Sequence, residues 1–162
     1  MAREDIEFNN ASFEENIFYI SQVQRCLVLF GEKARFTNES WFDDYLEDLY
    51  YSSFNREFKS FFLDDDGYKI STNDNRRSVL INFFSFVFDE VKKLTEFELE
   101  VMLIQRCSLD VENSDIFNSE EFLSDVRGGE LLPPKRVLYI LYNLINLLKE
   151  DELVALNNFD VV

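Results

Sequence analysis

Histidine is absent from this 162-residue chain, and cysteine occurs twice, glycine four times, proline twice and tryptophan once. Each shortage narrows what the protein can be. Without imidazole there is no histidine-based triad and no general base whose ordinary pKa lies near neutrality. Catalysis would then have to rest on carboxylates, lysine or cysteine. The two cysteines, Cys26 and Cys107, fall in helical patterns and read as buried thiols, not as a disulfide framework. Arg25 and Arg106 stand beside them, but neighbours on a helix point about 100° apart, so adjacency does not activate a thiol. Four glycines and two prolines supply too few turns for an all-β sandwich.

Long hydrophobic runs are missing as well. The longest, Val137 to Leu148, covers twelve positions and is broken by Asn143 and Asn146, well short of the roughly 20 residues that cross a bilayer. The N-terminus has no basic region followed by an apolar run, so the reading is a cytoplasmic protein with no membrane partner. Two glycine-containing motifs fail on inspection. Asp64-Asp65-Asp66-Gly67 fits two positions of a calcium loop, but Phe62 and Asn73 stand where the first and last ligands belong. Gly128-Gly129 has neither the spacing nor the lysine of a phosphate loop. No metal or cofactor is expected, and basic pairs such as Arg76-Arg77 are too isolated for direct nucleic-acid binding.

Acid and aromatic side chains are what the chain has in quantity. It carries 32 Asp and Glu against 16 Lys and Arg, a net charge of −16, together with 18 Phe and seven Tyr. That many aromatics exclude a disordered acidic tail, and the length suits one domain over residues 1–162. The predicted class is all-α, an irregular or repeat-like bundle of six to eight short helices. Ser12 and Glu15 form a capping box ahead of a helix from Phe13 to Phe30, with Gly31 ending it in a left-handed turn. Asn38 caps a second helix to about Tyr51, with Trp41, Tyr45, Leu46 and Leu49 on one face and Asp43, Asp44, Glu47 and Asp48 largely on the other. A short third helix carries Phe54, Phe58, Phe61 and Phe62 and stops at the Asp64–Gly67 turn. A brief extended stretch over Tyr68–Ser71 leads to Asn73 or Asp74, which opens the apolar helix containing Val79 to Phe88, expected at the centre. A second capping box, Thr95 with Glu98, starts the next helix, which runs to about Cys107. After a polar loop, Ser119 caps a helix to Arg127. Pro133-Pro134 precedes the long apolar helix, and Asp151 caps a last short one.

Gln24-Arg25-Cys26 recurs as Gln105-Arg106-Cys107, and the stretch Phe36–Phe42 is echoed by Phe117–Leu123, both at an offset of 81 residues. The offset is half the chain length and suggests a duplicated helix–loop–helix unit.

The acids are not evenly spread. Glu96, Glu98, Glu100, Asp110, Glu112, Asp115, Glu120, Glu121 and Asp125 face only Arg106, which leaves −8 between Leu94 and Asp125. Helix macrodipoles account for those at helix starts but not for Asp110, Glu112 and Asp115 in the loop. These nine residues are the expected partner-binding surface, and a basic protein is the expected partner. The favoured function is non-catalytic inhibition, in the form of an immunity protein whose acidic surface covers the basic, nucleic-acid-facing active site of a cognate bacterial toxin or nuclease. The alternatives are a phage-type DNA mimic acting on a nuclease and a helical adaptor with an apolar groove.

Overall fold

The computed structural model describes residues 3–55, 61–103 and 134–160. The chain is mostly helical but begins with a hairpin of two antiparallel strands, β1 (Arg3–Phe8) and β2 (Ala11–Asn16). Helices α1 (Ile17–Lys33), α2 (Ser40–Asn55) and α3 (Asp74–Lys92) follow. Residues 96–103 are helical and are termed α4, and α5 is Pro134–Lys149. A 3-10 turn, Leu156–Asn158, lies near the C-terminus.

The hairpin corrects the helix expected from Phe13. Glu4, Asp5, Ile6, Glu7 and Phe8 alternate between shielded and exposed, the period-2 signature of a strand with one face on a core. Asn9 takes φ 53 in the two-residue turn, a left-handed conformation that asparagine tolerates and such hairpins need. Glu15 therefore does not close a capping box with Ser12. It is buried in β2 and accepts two hydrogen bonds from Arg136, Nε to Oε2 at 3.1 Å and Nη2 to Oε1 at 2.7 Å. The Asn16 side chain caps α1 instead, accepting from the Phe18 amide at 2.8 Å.

Helix α1 is the centre of the molecule: every residue from Ile20 to Gly31 is buried, and it contacts α2, α3, α5 and the hairpin. The sequence places Val79–Phe88 there instead. In α3, Leu80, Phe83, Phe84 and Val87 are buried while Val79, Ile81, Phe86 and Phe88 are only partly so. The polar residues of α1 hide its central position from a hydropathy reading. Gln24 donates to Ser52 Oγ at 3.1 Å and Arg25 Nη2 to the Ser53 carbonyl at 3.0 Å, so each buried polar side chain finds a partner across the α1–α2 seam.

Gly31 lies inside α1, which ends at Lys33, and its role is close approach, not termination. A Cβ there would meet Leu46 Cδ2 at 2.8 Å and Phe83 Cζ at 3.1 Å. Around this contact Phe36, Phe42, Phe83 and Phe86 pack edge-on or tilted, with centroids 5.2–6.3 Å apart, arrangements that suit the ring quadrupole.

Several other expectations hold. In α2, Trp41, Tyr45, Leu46 and Leu49 are buried and Asp43, Asp44, Glu47 and Asp48 exposed. Asn73 caps α3, Thr95 and Glu98 exchange both bonds of a capping box at 3.2 and 3.4 Å, and Cys26 is a buried free thiol. Helix α5 starts at Pro134 and is buried from Val137 to Leu148 except for Tyr142. Two expectations are corrected: Phe54 belongs to α2 and Phe61 and Phe62 to a non-helical, turn-rich segment instead of a third helix, with Phe58 outside the described residues, and Tyr68–Ser71 is turn, not extended. Asp151 caps no helix. Its amide bonds back to the Asn146 carbonyl at 2.8 Å and closes α5. Among the described residues no helix is long and apolar enough to cross a membrane. The second members of the 81-residue echo, from Gln105 and from Phe117, lie outside the described residues.

Candidate functional site

The turn Phe61–Gly67 is fastened to α2 by aromatic hydroxyls. Tyr45, fully buried, donates to the Phe61 carbonyl at 2.8 Å, and Tyr68 donates to Asp48. Tyr68 stacks edge-on against Tyr45, with centroids 5.4 Å apart. Its own carbonyl accepts from Arg76 Nη1 at 2.8 Å, and the Arg76 guanidinium lies 5.2 Å from the centre of the Trp41 ring. Burial raises both tyrosine pKa values. For Tyr68 the bond to Asp48 and the negative charge of Asp48, Asp44 and Asp65 add to it. Phe62, buried at φ 58, is the strained point of the turn, since a bulky side chain rarely occupies that region.

Two open grooves flank the turn. One, about 980 Å³, runs between β1 and the turn and is lined by Arg3, Glu4, Asp5, Ile6, Glu7 and by Phe61–Gly67. The other, about 710 Å³, lies over α2 and includes Trp41, Asp44, Glu47, Asp48, Tyr68 and Arg76. They share Phe62, Asp65 and Gly67, so they form one continuous face. Among the described residues, six carboxylates line the first groove and three more the second, against Arg3 and Arg76. Arg3 is already paired with Glu14 at 2.6 Å. Partial burial first, and the adjacent Asp5 second, raise the Glu4 carboxyl above its ordinary 4.5. The face is thus a concentrated negative field over an apolar floor of Ile6, Phe61, Phe62 and Leu63.

No family model, curated protein or solved structure matches the chain. Its chemistry is read from its own residues.

Of the nine acids expected to bind a partner, Glu96, Glu98 and Glu100 are on α4. Glu98 serves the capping box, and none of the three lines either groove. Asp110, Glu112, Asp115, Glu120, Glu121 and Asp125 lie outside the described residues. The acids that the fold does bring together, Glu4, Asp5, Glu7, Asp44, Glu47, Asp48 and Asp64–Asp66, come from three segments separated in sequence. Each segment read alone is a solvated turn or helix face. The available signal was the strand alternation before Asn9-Asn10, which places three of these acids on a sheet edge. Among the described residues no group of three or more Cys, Asp or Glu is placed to hold a metal ion.

Proposed function

We propose that the protein is a stoichiometric, non-catalytic inhibitor that binds a basic protein, in the manner of an immunity protein covering the nucleic-acid-facing active site of a cognate toxin. One observation supports this reading: among the described residues, nine carboxylates converge on two adjoining grooves, and the two arginines that line them are engaged within the fold. Like charges held together by a folded scaffold raise the energy of the free protein, and a cationic surface relieves it. The absence of histidine supports binding over turnover. Asp110, Glu112 and Asp115 are proposed as a second, separable contact of the same kind. The test is titration of a basic target's activity. Inhibition that saturates at a fixed molar ratio and reverses on dissociation supports the reading, and one molecule inactivating many targets contradicts it.

The adaptor reading has one observation in its favour: Phe97 on α4 is 70% exposed, a large apolar side chain offered to solvent. An interface at Phe97 would make Phe97→Asp abolish binding while charge reversals in the grooves leave it intact.

A further inference from the structure

The outer edge of β1 borders the larger groove, and among the described residues β2 is the strand that pairs with β1. A two-residue turn closes on a hydrogen-bonded pair, here Phe8 with Ala11. Bonded and non-bonded pairs then alternate, so Phe8, Ile6 and Glu4 bond to β2 while Glu7, Asp5 and Arg3 turn their N–H and C=O groups outward. The Asn16 amide, opposite Arg3, accordingly bonds to a side chain, Glu15 Oε1 at 2.7 Å. Unpaired edge groups of this kind are the template for strand addition. We propose that this edge takes up an extended basic segment of the partner as a third strand, a claim that rests on the basic-partner reading above.

Charge decides the occupant. A second copy of β1 laid antiparallel along the same edge with Asp5 opposite Glu7 opposes like charges, which destabilises a sheet, and Arg3, the cation of that face, is already paired with Glu14. The acid-rich stretch from Leu94 to Asp125 is unsuited for the same reason. An incoming strand instead meets Asp5 and Glu7 on its exposed face and the Ile6, Phe61, Phe62 and Leu63 floor on the other. Side chains alternate between faces, so the matching pattern is basic–apolar–basic over about six residues, the length of β1.

A capped peptide Lys-Val-Lys-Val-Lys-Val-Lys is the probe, compared with the same peptide N-methylated at alternate backbone amides in each of the two registers and with its Glu-for-Lys counterpart. On the protein side, Asp5→Pro deletes an outward N–H at an edge where proline is tolerated, and Asp5→Asn deletes the charge alone. The expected result is binding of the parent peptide with shifted Asp5 and Glu7 amide resonances, at least tenfold weaker binding when one register is methylated, and a larger loss for Asp5→Pro than for Asp5→Asn. Equal binding of parent and both methylated peptides overturns strand addition while leaving basic-partner binding in place. Binding of the Glu peptide as tightly as the Lys peptide overturns the basic-partner reading itself. No binding of the parent peptide overturns the proposal. If Asp5→Pro fails to fold, the methylated peptides decide the matter without it.

Discussion

Single residues settle several questions that composition leaves open. Gly31 sits where α1, α2 and α3 meet, and a methyl group there would press on Leu46 and Phe83. Gly31→Ala should therefore lower stability by about 1–3 kcal/mol, as overpacking does. Combined with Leu46→Ala it should cost less than the sum of the two, because the second change clears the space. Denaturant unfolding of the four proteins measures this, and strict additivity would show that Gly31 matters for its backbone, not its contacts. Tyr45 and Tyr68 make a second case. Their folded pKa values lie above the ordinary 10.0, so the unfolded chain gives up these protons first as pH rises. The stabilisation is whole below 10 and is lost progressively above it. Stability followed from pH 8 upward should fall past about 10, and Tyr68→Phe should make that fall shallower. An unchanged slope would mean that Tyr68 takes no part.

At the scale of elements, two polar clamps hold pieces that hydrophobic contact alone would not position. Glu15, nearly inaccessible, and Arg136, which also lies 4.8 Å from the Tyr19 ring centre, tie the hairpin to the start of α5. Glu15→Ala leaves the arginine shielded without its counter-charge and should cost about 3–5 kcal/mol. Amide exchange should quicken first over residues 3–16 while α3 stays protected, and uniform quickening would mean that the hairpin is not a separable unit. Asn143 holds the C-terminal segment by both backbone groups of Val154, donating to its carbonyl at 2.9 Å and accepting from its amide at 3.0 Å. Asn143→Leu should destabilise by about 1–3 kcal/mol, the cost of stranding those groups, and should expose residues 151–156 to proteolysis. What the sequence made legible at this scale follows from local physics. The amphipathic face of α2, the Thr95–Glu98 capping box and the Pro134 start are all set by neighbouring residues. Less legible was whatever depends on a distant partner. Ser12 and Glu15 form a valid capping pattern, but Glu15 is claimed by Arg136, 121 positions away. Gln24 and Arg25 look like surface residues until α2 supplies Ser52 and Ser53.

At the scale of the molecule, the described residues form a bundle built around α1, with a strongly acidic face assembled from β1, α2 and the Phe61–Gly67 turn. Local reading located the charge of the chain but not this face, because its members converge only in three dimensions. Electrostatic steering follows from the net charge. Raising salt from low to physiological strength should slow association with the proposed basic partner far more than it speeds dissociation, and an on-rate indifferent to salt would remove steering from the account. The location of binding is tested most directly by calorimetric affinity for that partner, measured on two matched charge reversals. One is Asp64→Lys, Asp65→Lys and Asp66→Lys at the junction of the grooves. The other is Glu32→Lys, Asp89→Lys and Asp160→Lys, at exposed positions away from them. Both change net charge equally, so the general field is controlled. The groove triple should lose at least a hundredfold in affinity and the distant triple no more than a few-fold. Equal losses, or none in either, would contradict a binding site on this face.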